Sequence, residues 1–225
     1  MNYWRGGWIL RKLIAAVLLM IIWALSGLSD PVCAAESKEA LLEQCRKHTE
    51  KFEYSEAVED CSKLISRDSK YTDAYFWRGV ALVAIREYDR AIADFTQVIS
   101  LNPNDVQALS NRGLAYRRIK QYDQALRDLN QAIEIDPGYA IGWLSRGTVF
   151  AQMDQWSDAI LDYSKGIELD PQNYTAYHNR GIAYEQVGQK IEAINDYRTF
   201  LRLAPARDHL RSSVEYRVKL MEEAP

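Results

Sequence analysis

Side chains able to do chemistry are few in this sequence, and their spacing restricts what they could do. The histidines are His48, His178 and His209, and the cysteines Cys33, Cys45 and Cys61. No Ser or Cys stands in a nucleophile motif, no Gly-rich phosphate loop occurs, and the histidines lie far apart along the chain. Acid–base and nucleophilic catalysis need such groups to converge, so no catalytic residues and no cofactor are expected. Cys45, His48 and Cys61 form one grouping of soft ligands. It has three readings: a zinc site short of a fourth ligand, a disulfide, or two inert buried thiols. The other chemically loaded feature is a recurrence of opposite charges. Arg78, Arg112, Arg146 and Arg180 are followed sixteen positions later by Asp94, Asp128, Asp162 and Asp196. Charges placed so regularly suit structural pairing, not turnover.

These charges belong to a wider period of 34. Pro103, Pro137, Pro171 and Pro205 share it, as do Gly79, Gly113, Gly147 and Gly181, and the alanines at 57, 91, 125, 159 and 193. Counting places from Lys38, Thr72, Val106, Ala140 and Tyr174 gives five units, 38–71, 72–105, 106–139, 140–173 and 174–207. Each unit reads as two helices. Trp143, Arg146, Gly147 and Phe150 fall at i, i+3, i+4 and i+7, one face of a first helix. Ala159, Asp162, Tyr163 and Gly166 repeat that spacing on a second helix, after the polar break Met153-Asp154-Gln155. Asp170-Pro171 ends it, because proline disfavours helix at the preceding residue. The first unit is degenerate, with Cys45 in place of Gly and Ser69 in place of Pro. Beyond Pro205, the single apolar stripe of Leu210, Val214, Val218 and Met221 predicts a capping helix within 208–225.

The set Trp143-x2-Arg146-Gly147-x2-Phe150, Ala159-x3-Tyr163 and Pro171, with its equivalents in the other units, resembles the tetratricopeptide repeat. One departure is consistent: the Leu usual before the Gly is Arg in the four full units. The resemblance implies an all-α, right-handed solenoid of stacked helix–turn–helix units. It also implies that the first helix of each unit lines a concave face that binds protein.

Two structural pairings are expected within that frame. Arg at place 7 and Asp at place 23 both fall in core stripes, and a lone buried charge is costly. An Arg–Asp pair is therefore predicted in each full unit, with pairing to the Arg of the following unit as the alternative geometry. In the first unit Gln44 stands opposite Asp60 as a hydrogen-bond donor. Cys45 and Cys61 occupy places 8 and 24, level with each other on an antiparallel helix pair, which makes a disulfide the expected reading and metal carriage by this unit the rival.

Places 5, 9 and 12 of the first helices form a second stripe. The residues expected to line a groove are Phe76, Val80, Val83, Leu114, Arg117, Leu144, Thr148, His178 and Ile182, with Arg118 beside its basic centre. An idle solvent face should be polar, and this one is largely apolar. It either closes the inner wall or receives an apolar peptide. The Lys/Asn clamp with which some family members grip chaperone C-termini would need places 5 and 9, which here hold no Lys and no Asn.

The start of the chain is of another kind. Arg5, Arg11 and Lys12 precede an apolar run from Leu13 to Leu25, and Val32-Cys33-Ala34 offers small residues for cleavage. Residues 1–34 are read as a signal peptide or signal anchor, the only part expected to touch a membrane. The remainder would then be exported to a periplasm, lumen or exterior. The balance of 28 basic and 31 acidic residues gives no footprint for nucleic acid. The expected function is an exported, non-catalytic scaffold or assembly factor with a protein or peptide partner and no bound metal. Self-association of the array is the alternative.

Overall fold

The computed structural model describes residues 37–223, so the expected targeting segment lies outside the described residues. The described residues form an all-α solenoid of stacked helix pairs with one closing helix. The pairs are α1 (Lys38–Glu50) with α2 (Tyr54–Arg67), α3 (Thr72–Ala84) with α4 (Tyr88–Leu101), and α5 (Val106–Arg118) with α6 (Tyr122–Ile135). They continue as α7 (Ala140–Gln152) with α8 (Trp156–Leu169) and α9 (Tyr174–Gln186) with α10 (Lys190–Leu203), and α11 (Arg211–Glu223) closes the series. Side chains begin some of the first helices. Ser37, Asp105 and Asn173 each accept from the backbone N–H three residues on, which satisfies one of the orphan donors of the first turn.

The turn inside each pair is one motif used five times. Phe52, Arg86, Lys120, Asp154 and Gly188 all hold positive φ, at place 15 of their units. The next N–H reaches back to the carbonyl five residues earlier, as in Glu87 to Leu82, Gln121 to Tyr116 and Gln155 to Phe150. That is a left-handed helix stop of the Schellman type. Only Gly188 takes this conformation without a side-chain penalty.

Close approach of the two helices depends on place 8. A side chain on Gly79, Gly147 or Gly181 would run into the ring of Phe95, Tyr163 or Tyr197 at place 24, and one on Gly113 into Leu129. In the first unit the same two places are Cys45 and Cys61, joined as a disulfide with Cα atoms 5.5 Å apart. A covalent bridge thus stands where the other units use a glycine under a large side chain.

Successive pairs stack unequally. Each first helix touches the first helix of the next unit, and each second helix touches that same first helix, but second helices of neighbouring units do not touch one another. The first helices therefore form the tighter, inner wall. At the far end α11 packs on α10 and buries Val214 and Val218 against Tyr197 and Phe200. No helix among the described residues is long and apolar enough to cross a membrane.

Candidate functional site

The inner wall is built on a scaffold of ion pairs. Arg78 Nε and Nη2 donate to Asp94 at 2.8 and 2.7 Å, and Arg112 does so to Asp128 at 2.8 and 2.8 Å. Arg146 to Asp162 and Arg180 to Asp196 repeat the two-point geometry at 2.7 and 2.8 Å. Each pair lies within its own unit, so the inter-unit geometry is not the one adopted. The third nitrogen nevertheless crosses to the preceding unit. Arg78, Arg112, Arg146 and Arg180 donate through Nη1 to Ser62, Thr96, Asn130 and Ser164. One guanidinium fork therefore ties the two helices of a unit together and docks that unit on its predecessor. Aromatic faces complete the cage: Arg146 lies 4.9 Å from the Trp143 ring and 5.8 Å from Phe150. Hydrogen bonding to Asp94 and Asp128 raises the pKa of Arg78 and Arg112, so these groups stay charged despite partial burial.

The first unit departs from expectation. Asp60 does not take Gln44. Its Oδ2 lies 2.8 Å from His48 Nδ1, and Lys63 donates to Oδ1 at 3.2 Å. Gln44 is solvent-exposed, whereas His48 at place 11 is partly buried and reaches the carboxylate directly. With both thiols in the disulfide and His48 turned to Asp60, the metal-carrier reading has no ligand set. Among the described residues no group of three His, Cys, Asp or Glu is placed to hold a metal.

The groove residues divide between packing and surface. Phe76, Val80 and Val83 pack beside Phe95, Val98 and Ala108, and the Phe76 ring meets Phe95 edge-on at 6.0 Å. Leu144 lies directly over Gly166, and a side chain there would have to push it aside. Ile182 packs against the cluster of Tyr197 and Phe200. Thr148 bonds the Leu144 carbonyl at 2.8 Å and accepts from the Tyr163 hydroxyl at 3.3 Å. The His178 ring packs at a tilt against Phe200, centroids 5.3 Å apart, and burial pushes its pKa down. Leu114 and Arg117 are half-buried and Arg118 is exposed. These side chains are thus the outer layer of the core, with one edge left to solvent.

Two features of this wall were not read from the sequence. Ile141, at place 2 of α7, continues the stripe at i, i+3 and i+7 to Leu144 and Thr148, and it is 51% exposed. Its apolar type at a place that holds Glu39, Asp73, Gln107 and Thr175 in the other units was the available signal. At the other end, a cavity of about 240 Å3 opens between Leu42, Arg46, Asp73, Phe76 and Trp77. The third bond of each guanidinium, through Nη1, was also missed, although Ser62, Thr96, Asn130 and Ser164 form a polar series of the same period.

Comparison with known families matches tetratricopeptide repeat models to residues 72–105, 106–139, 147–188 and 174–207, more than half of the chain. The chain belongs to the tetratricopeptide repeat family. Among curated proteins no sequence matches it. Among solved structures, MamA is 25% identical with a TM-score of 0.62, over 70% of this chain and 92% of that one. TTC0263, a TPR protein of Thermus thermophilus, has a TM-score of 0.68 at 17% identity, over 84% of this chain and 100% of its own. YrrB, described as a TPR protein with an unusual peptide-binding site, has a TM-score of 0.60 at 18% identity, over 80% and 92%. This tetratricopeptide solenoid is a protein-interaction scaffold by family and by architecture.

Proposed function

We propose that the chain is an exported, non-catalytic scaffold or assembly factor that holds a protein partner against the inner wall of its first helices. The observation that carries this reading is the wall's composition. Val80, Leu114, Leu144 and Ile182 each keep an apolar edge at the surface, Ile141 is half exposed, and Arg117 with Arg118 stands near the middle. An extended or helical peptide segment would bury that apolar stripe. The peptide-binding site described for YrrB, on the same fold, supports the choice of ligand class. Export is proposed from residues 1–34, whose basic start and apolar run have the layout of a secretory signal.

The test uses the full chain as bait for affinity capture, alongside Ile141→Glu. That substitution places a charge on the stripe at an exposed position, so folding should be retained. Loss of a captured partner with unchanged helix content is expected. Equal capture by both chains would overturn the inner-wall reading. Fractionation with N-terminal sequencing addresses export: a mature start near Ala35 outside the cytoplasm is expected, and an intact cytoplasmic chain would refute it.

A further inference from the structure

We propose that Arg117 is the receptor for an acidic side chain, Asp or Glu, of the peptide segment bound on the inner wall. The inference rests on the inner-wall reading above and specifies its ligand.

Among the described residues, Arg117 differs from the other partly buried arginines in having no acceptor. Arg78, Arg112, Arg146 and Arg180 each hold an aspartate, and Arg211 donates to the carbonyls of Leu201 and Ala204; even the exposed Arg217 holds Glu185. Arg117 Nε is buried and meets no acceptor among the described residues. The ionisable groups around it are Arg118, Tyr163, Tyr122 and Tyr88, that is, one like charge and three phenols. Burial first, and Arg118 second, push its pKa down. The free protein thus keeps a partly buried guanidinium, its Nε without an acceptor, and lacks the carboxylate that such a group ordinarily finds.

The location gives that group a ligand to wait for. Arg117 is at place 12 of α5, on the stripe that also carries Leu114 and, on α7, Ile141 and Leu144. A guanidinium presents a planar fork of donors, and a carboxylate matches it with two parallel bonds. The occupant that satisfies both the fork and its surroundings is an acidic residue flanked by apolar ones. This is not the Lys/Asn arrangement of the chaperone clamp, since places 5 and 9 offer neither residue.

The experiment pans a phage-displayed random dodecapeptide library on the full chain and measures synthetic copies of the enriched peptides. We expect an Asp or Glu between apolar residues in those peptides. Changing that residue to its amide should weaken binding about tenfold or more, and should have little further effect on Arg117→Met. The variant itself should melt at or above the wild-type temperature, because methionine keeps the stem and removes the partly buried charge. Peptides that bind Arg117→Met as well as wild type, yet are lost with Ile141→Glu, would overturn this proposal and leave the inner-wall reading standing. A melting temperature several degrees lower for Arg117→Met would assign Arg117 a structural role and also overturn it. No enriched peptide, or peptides indifferent to both substitutions, would overturn the inner-wall reading itself.

Discussion

A double-mutant cycle on Arg146 and Asp162 measures what the repeated ion pair does. The Asp162 side chain is 5% exposed and that of Arg146 19%, so the two single substitutions are not equivalent. Arg146→Met leaves a buried carboxylate without its two N–H donors, which costs about 3–5 kcal/mol. Asp162→Leu leaves a guanidinium that still meets Asn130 at 2.7 Å, the Trp143 ring and some water. Its cost is smaller, about 1–3 kcal/mol. The double variant replaces the pair with apolar groups and should recover much of that loss. A coupling energy of about 2 kcal/mol or more is therefore expected, with Arg146→Met the worse of the two singles. Urea denaturation followed by circular dichroism supplies the free energies, and an unchanged m-value checks that cooperativity in the array is retained. A companion cycle on Asp128 and Arg146 should give a coupling near zero, because Arg112 already occupies both Asp128 oxygens. Coupling below about 0.5 kcal/mol in the Arg146–Asp162 cycle would refute the argument, since exposed independent residues give such values. So would a reversed order of the singles, which would mean that the carboxylate finds water once Arg146 is gone.

Three further outcomes follow from other parts of the molecule. At place 15, Gly188→Ala should destabilise by about 1 kcal/mol and Lys120→Gly should stabilise by about 0.5–1 kcal/mol, because both residues hold positive φ; thermal melts with equal effects of the same sign would contradict the turn assignment. Replacing Cys45 and Cys61 together by alanine should cost about 3 kcal/mol through the sixteen-residue separation they close, and thiol titration of the denatured wild-type chain should find neither of them reactive. His178 should make stability fall on acidification. Burial lowers its folded pKa, so its contribution is complete above the ordinary value of about 6.5 and is lost as pH falls through the folded value; melting temperatures at pH 7.5 and 5.5 should differ more for wild type than for His178→Gln.

The sequence by itself determined the unit and most of what happens inside it. Apolar and small residues at helical spacing, repeated every 34 positions, leave little choice but paired helices, and glycine at place 8 opposite a large side chain at place 24 sets their approach. The presence of charge in both core stripes was legible too, since a charge recurring in a core needs a partner. Tertiary structure decided the rest. Which carboxylate each guanidinium takes depends on where stacking places the neighbouring unit, and the same stacking brings Ser62, Thr96, Asn130 and Ser164 to the third nitrogen. The left-handed stop was hidden because Phe52, Arg86, Lys120 and Asp154 are not residues that announce positive φ; the helix ends impose it. His48 took Asp60 because a side chain one turn from Gln44 reached it first, a matter of distance that residue types do not encode. Arg117 illustrates the limit most clearly. Its neighbours come from different units, and only their packing shows that a charge in plain view along the chain is partly buried, with its Nε meeting no acceptor among the described residues.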